Sequence, residues 1–334
     1  MLLPGHGPIL ELLGDAGVHT DTINTRHLWV LRKADIARAM TLGLPRNLRA
    51  LAQAMRDLKA HDLTYVNTAV ILDFLLASLV TRRAIIVHVR EIPTGMALKI
   101  IRMLLRCAKA QVIFNSYATR DAFALPDSQR QAVIYNGAYG PDEAPQRVDI
   151  TGRPLNILCI GRLNAWKGQE VLIEACALLD PEMRAKLSVR IVGGVYKTQT
   201  HFRDTLIDRI AQHGLEQTIQ MIDFVDNPES EYATADVVVV PSTLPEPFGR
   251  VAIEAMAQGA AVIASNHGGL REIVVDAETG ALIAPGDAGA LARALEAYLQ
   301  KSQMAAEQGA AGRTRFLDEF TQEICDTRLV AALN

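Results

Sequence analysis

DVVVVPSTLPEPFGRVAIEAMA, Asp236–Ala257, is the stretch whose reading decides the fold. It begins with an acid and four consecutive valines. A strand with one wet face alternates apolar and polar residues. An unbroken apolar run is covered on both faces, the condition of a parallel strand between helix layers. The run stops at a proline, and a loop with two further prolines and a glycine follows. Val251, Ala252, Ala255 and Met256 then fall at helical spacing, so a helix is expected to begin near Gly249 or Arg250.

The same pattern recurs in both directions from there. Downstream come AAVIAS (Ala260–Ser265) and ALIA (Ala281–Ala284), and upstream LNILCI (Leu155–Ile160), LSVRIV (Leu187–Val192) and IQMIDFV (Ile219–Val225). The first half adds LTYV (Leu63–Val66), AIIV (Ala84–Val87), QVIF (Gln111–Phe114) and AVIY (Ala132–Tyr135), all separated by longer helical patterns. Gly137–Pro154 has the Gly and Pro content of an interdomain linker. With 334 residues the chain suits two domains of roughly 150 residues each. The expectation is an α/β protein of two doubly wound Rossmann-like domains, their parallel sheets facing across a cleft. Ligands in such folds sit at the carboxyl ends of strands. That rule selects the residues after each run: His88, Asn115, Asn136-Gly137, Gly161-Arg162, Gly193-Gly194 and Pro241-Ser242.

Composition narrows the partners. The chain is 49% hydrophobic and 21% charged, as a soluble globular protein should be. Aromatic residues make up 5%, too few for the stacking platforms of single-stranded nucleic acid, so no nucleic-acid partner is expected. Residues 1–150 hold 18 Lys/Arg against 13 Asp/Glu, and residues 151–334 hold 16 against 24. Either the basic half meets something anionic or the asymmetry is scatter. Cys107, Cys159, Cys176 and Cys325 form no C-x-x-C pair, which argues against zinc and redox motifs and fits a reducing, cytoplasmic compartment. No signal peptide is read at Met1. The longest apolar run, Ala69–Val80, is too short to span a bilayer and contains Asp73.

The loop and helix of the opening stretch carry chemistry. Pro245 and Pro247 hold the chain extended around Glu246, and Gly249 lets backbone approach a ligand. A helix start offers free N–H groups and partial positive charge, an anion site. Glu246 precedes that start and Glu254 lies about one turn inside, so two carboxylates flank a phosphate-sized anion. Carboxylates accept from hydroxyls and repel phosphate. A ligand of sugar, diphosphate and ribose satisfies all three groups; two structural acids are the plainer alternative. A second motif, GRLNAWKG (Gly161–Gly168), follows a strand and supplies Arg162 as a planar fork and Lys167 as a point charge. No D-x-D pair occurs, so no metal and no other cofactor is expected, and these cations would stabilise the leaving group instead.

Taken together, GRL-x-x-x-KG and PS-x-x-x-E-P-F-G-x-x-x-x-E-A-x-A-x-G resemble the retaining glycosyltransferases of family 4, which have the GT-B fold. Glu246, seven intervening residues and Glu254 match that family's pair of acids. HVREIP (His88–Pro93), VIFNS (Val112–Ser116), YNG (Tyr135–Gly137), EYATADVVVVPS (Glu231–Ser242), HGGLREIV (His267–Val274) and TGALIAPGD (Thr279–Asp287) extend the likeness over residues from about 60 to 320. The resemblance implies an acceptor-side domain over residues 1–145 and a donor-binding domain over 146–315. A carboxy-terminal helix, 316–334, would pack back on the first. It also implies that Arg162 and Lys167 bind the donor diphosphate and that Glu246 contacts donor-sugar hydroxyls. Amides from Phe248 through Gly249 and Arg250 to Val251 would approach phosphate and sugar. Glu254 would hold the ribose, and Phe224 and Val225 would lie against the base. His88 would stand near the reacting centre with help from Arg90, unless it is only a satisfied polar cap.

The implied reaction moves a sugar from a UDP- or GDP-sugar to a hydroxyl of a glycan or lipid-linked acceptor, in surface-polysaccharide or lipopolysaccharide synthesis. MLLPGHGPILELLGDAGVHTDTI looks like the family's second strand and helix and the strand after them, so the family's first strand and glycine loop have no counterpart. That departure motivates an alternative, a weakly active or non-catalytic nucleotide-sugar binding subunit acting with a partner. No G-x-G-x-x-G follows a strand, which argues against a dinucleotide-dependent dehydrogenase. In KIIRMLLRCAKA, Lys99, Arg102, Arg106 and Lys109 share one face of an expected helix. They suit peripheral contact with an anionic inner membrane face or a lipid diphosphate, or simply a solvated surface.

Overall fold

The computed structural model describes residues 2–3, 9–22, 44–145, 150–195 and 201–333. The chain divides into two compact units, Met1–Asn115 with Thr119–Val133, and Ser116–Ala118 with Ile134–Asn334. Each is built on a parallel sheet with helices between successive strands.

In the first unit β1 (Leu2–Leu3) pairs in parallel with β2 (Asp21–Thr22), with a helix at Ile9–Asp15 between them. Residues 4–8 of the amino-terminal stretch LPGHGPIL lie outside the described residues. The larger sheet runs β3 (Tyr65–Val66), β4 (Ile86–Val89), β5 (Gln111–Phe114), β6 (Gln131–Val133), in that spatial order and all parallel. Its core gathers Leu58, Leu75, Val87, Val89, Ile101, Leu105, Val112 and Phe114.

Two readings of this half change. His88, expected just after its strand, lies within β4, opposite Ile113, and is 4% exposed. A histidine ends an apolar run in a sequence, yet it continues a strand when a neighbour satisfies it. The helix Gly95–Ala108 buries Ile101, Leu104 and Leu105 as its pattern requires. Of its basic face, Arg102 donates to the carbonyl of Ala122 at 2.9 Å and Arg106 to that of Ala124 at 2.8 Å. The cations are thus partly spent within the unit.

The second unit has β7 (Leu155–Ile160), β8 (Leu187–Val192), β9 (Ile219–Ile222), β10 (Val237–Val240), β11 (Ala261–Ser265) and β12 (Gly280–Ile283). Their spatial order is β12-β11-β10-β7-β8-β9, with every pair parallel. Successive residues feed opposite faces. Ile157, Cys159, Val237, Val239, Ala261 and Ile263 join one core. Leu158, Val238, Val240, Val262 and Ala264 join the other. That is why the strands read as continuous apolar runs, each buried valine contributing about 1.5–3 kcal/mol. At the amino end of β10 the buried Asp236 takes Arg153 in a bidentate pair, at 2.6 and 2.8 Å. It also accepts from the Asn156 amide at 2.9 Å, which fixes β10 against β7.

The contact boundary falls after Val133, ahead of the Gly- and Pro-rich segment. Ala138 bridges to Thr321, and Arg313 donates to the carbonyls of Pro141 and Ala257, both at 2.5 Å. This part of the expected linker is packed against its own unit. Residues 146–149 lie outside the described residues. The helix Gln322–Leu333 groups with the second unit. Among the described residues no helix is long and apolar enough to cross a membrane.

Candidate functional site

The chain builds β7, β8 and β9 outward on one side, then returns to lay β10, β11 and β12 on the other. The direction reverses between β7 and β10, the topological switch point where open α/β sheets bind ligands. Gly161–Gly168 leaves the carboxyl end of β7 and Pro241–Gly249 leaves that of β10, so the two loops singled out in the sequence are neighbours.

Local chemistry locks them together. The Asn164 side chain accepts from the amides of Trp166, at 3.2 Å, and Lys167, at 3.0 Å, curling the first loop. Buried Gln169 donates to the Arg162 carbonyl at 3.1 Å. The Thr243 amide reaches the Trp166 carbonyl at 2.8 Å and joins loop to loop. Gly168 adopts φ +74° so close to β10 that a Cβ would stand 1.9 Å from the Pro241 oxygen, and no other residue fits.

This arrangement brings Lys167 Nζ to 2.6 Å from Glu246 Oε1. Ser242 Oγ donates to the same oxygen at 2.7 Å. Glu246 is 5% exposed, and the lysine ammonium also sits 4.5 Å over the Trp166 ring. The resemblance assigns the two residues separate ligand contacts, whereas here they form one ion pair. A buried pair of this kind is neutral as a unit, and losing either partner strands a charge.

Beyond Glu246, Phe248 is buried against Tyr135, with ring centroids 5.8 Å apart, and against Phe320 at 6.2 Å. The ring anchors the loop while the backbone turns at Gly249, φ +120°, into the helix Arg250–Ala257. No side chain caps that helix start. Val251 is partly buried against the core, and Arg250 projects with 62% of its side chain exposed. Glu254 accepts from Tyr232 Oη at 2.8 Å and pairs with Arg250 at 2.9 Å. Burial, and then the adjacent Glu254, hold the Tyr232 phenol well above its ordinary pKa, so it remains a donor. Glu254 opens onto a cavity of about 460 Å³, also lined by Tyr139, Asn227, Tyr232, Arg250 and Gln258.

Phe224 and Val225 lie past the end of β9 rather than in it. Phe224 is 70% exposed and Val225 packs on the core. Arg162 is exposed on the first loop. His88 belongs to the other unit. Burial, and then Arg90, push its pKa down to about 4, so it is neutral near pH 7.

Asn164 and Tyr232 lie inside quoted motifs but carry no sequence signal of their own, because they act through contacts that only folding creates. The sequence marks Ser242 by its place directly after a strand, and not by the carboxylate it holds.

The family model for glycosyl transferases group 1 matches residues 142–315. The D-inositol 3-phosphate glycosyltransferase of Geodermatophilus obscurus is 32% identical over 194 residues, 57% of this chain and 42% of that protein. The lipopolysaccharide core biosynthesis mannosyltransferase LpcC of Rhizobium leguminosarum bv. viciae is 32% identical over 171 residues, 51% of this chain and 48% of that one. The match thus spans less than half the length of these curated relatives. Among solved structures, Anabaena HepE in complex with UDP-glucose superposes with a TM-score of 0.81 at 25% identity, covering 99% of this chain and 90% of the other.

Proposed function

The chain belongs to the glycosyl transferases group 1 family, and from that premise we propose that it transfers a sugar from a nucleotide-diphosphate sugar to an acceptor hydroxyl with retention of configuration. The observation that carries this reading is the Lys167–Glu246 pair beside an uncapped helix start at the switch point.

In the resting protein the ammonium and the carboxylate satisfy one another. An arriving diphosphate draws Lys167 to itself, with Arg162 as second cation and the amides of Phe248–Val251 as further donors. Glu246, still held by Ser242, is then released to accept from donor-sugar hydroxyls. Glu254, oriented by Tyr232, takes the ribose hydroxyls, and the base lies near Phe224 and Val225. As the glycosidic bond breaks, charge grows on the departing phosphate. Fixed cations and amides stabilise that charge without reorganising, which is where such a site gains most of its rate. The same phosphate accepts the acceptor's proton on the face it leaves, which retains the anomeric configuration. His88, in the first unit, is the further residue that the resemblance assigns to the reaction. On this reading no metal takes part.

A UDP-linked donor is supported by the likeness to HepE, whose structure holds UDP-glucose. A surface-glycan or lipid-linked acceptor is supported by the likeness to LpcC. Peripheral contact with an anionic membrane is supported by Met96, Lys99 and Met103, exposed on one helix.

The test is a product assay over UDP- and GDP-sugars with chelator present, the product anomer read by NMR. Turnover that survives the chelator and keeps the donor's anomeric configuration is expected. An inverted product, or full activity in both Lys167→Ala and Glu246→Ala, would overturn the assignment.

A further inference from the structure

We propose that Trp166 is a positioning residue whose indole face holds the Lys167 ammonium, both in the resting ion pair and when that ammonium turns to a ligand phosphate. The inference rests on the proposed transfer reaction for the identity of that ligand. The residues involved all belong to the second unit.

The backbone fixes the indole first. The Trp166 amide donates to the Asn164 side chain at 3.2 Å. The Trp166 carbonyl accepts from the Thr243 amide at 2.8 Å and from Thr243 Oγ1 at 3.3 Å. Trp166 is thus tied to both loops through both of its peptide groups, and its side chain is partly buried.

The Lys167 side chain is different. It is a flexible four-carbon stem ending in a point charge, and 21% of it is exposed. A cation that stabilises a leaving group must already be in place when charge develops, so something has to confine it. Two groups bear on Nζ, which lies 2.6 Å from Glu246 Oε1 and 4.5 Å from the centroid of the Trp166 ring. The carboxylate engages one of the three ammonium donors along a fixed direction. The ring attracts through the negative face of its π system and engages no single N–H. The ammonium can therefore turn a proton from Glu246 to a phosphate and remain over the indole. Glu246 keeps the Ser242 hydroxyl, at 2.7 Å, when the lysine turns away. A leucine at this position would keep apolar bulk and lose the attraction, whereas a phenylalanine would keep a weaker face.

An aromatic ring current displaces protons above its face upfield. NMR of the lysine ε-methylenes, ¹³C-labelled in the full chain, reads the contact, with Lys167→Arg assigning the signal. The expected signal is upfield in the resting protein, stays upfield with saturating UDP or GDP, whichever binds, and is absent from Trp166→Leu. Trp166→Leu should bind that nucleotide about fivefold more weakly and lose about tenfold in kcat, while Trp166→Phe stays within about twofold of the parent in both. A resting signal at the ordinary lysine position overturns the proposal, and so does a signal that returns there when nucleotide binds. Equal losses in the two variants also overturn it, because bulk and not the ring face would then carry the effect. So does a Trp166→Leu protein with unaltered affinity and kcat. If the resting signal is as expected but no nucleotide sugar is consumed, the reading of the reaction fails and the hold of Trp166 on the resting pair stands.

Discussion

At the carboxyl end of β10, Lys167 and Glu246 meet as ions; near the end of β4, Tyr65 and His88 meet as neutral groups. Both pairs are partly buried polar contacts at or near the carboxyl ends of parallel strands. The difference lies in what surrounds them. The ionic pair is flanked by Ser242, a tryptophan face and an uncapped helix start, all able to accommodate charge. The neutral pair is set in an apolar sheet, and burial keeps its imidazole uncharged.

The hardest blow to the contrast is Lys167→Ala. It removes the proposed leaving-group cation and strands Glu246, so turnover should fall about 10²–10³-fold and stability by about 3–5 kcal/mol. Product assays and urea unfolding measure the two losses. Adding Glu246→Gln should return most of the stability and none of the turnover. If the single variant is as stable as the parent, the pair is not buried as described.

Asp236→Ala probes charge at the opposite end of β10, away from the proposed chemistry. It strands Arg153, which is 30% exposed, and should cost about 3 kcal/mol in urea unfolding. Donor affinity of the folded protein should not change. A specific loss of donor binding would show that strand-end charge is not confined to the loops.

The neutral pair makes a prediction about acid. The folded pKa of His88, about 4, lies below the ordinary value of 6.5, so between those values the unfolded chain binds the extra proton. Stability from this site is complete above about pH 6.5 and is lost as pH falls towards 4, by up to about 3 kcal/mol. Unfolding midpoints of the parent and His88→Gln should converge over that window. A constant difference would mean that the His88 pKa is the same in the folded and unfolded chain.

Tyr232→Phe should have the smallest effect. It removes one hydrogen bond to Glu254, worth about 1 kcal/mol. The expected outcome is a several-fold rise in donor KM with kcat nearly unchanged. A large fall in kcat would place Glu254 in the transition state rather than in ground-state binding.

Much of this architecture was legible because the strands are covered on both sides. Val237 to Val240 alternate between two cores, so no polar residue interrupts the run. The loops were legible because Gly168 and Gly249 are forced by backbone geometry, and Glu246 and Lys167 by charge. Other features were not. The run Ile219–Val225 continues past β9 because Val225 packs on the core from a loop, and hydropathy does not register where hydrogen bonding stops. The basic helix face reads as uniform, yet Arg102 and Arg106 are bound to carbonyls some eighteen to twenty residues away.

The sequence by itself determined the parallel sheets, the two loops at the switch point and the identity of the charged residues, because apolar runs, glycines and charges are local properties. Only the tertiary structure decided that Lys167 and Glu246, 79 positions apart, neutralise each other. It alone set the Tyr65 hydroxyl on His88 and closed Tyr232 onto Glu254. Each of these is a contact between distant segments, fixed by strand register and packing, and no local pattern encodes which distant group a side chain will meet.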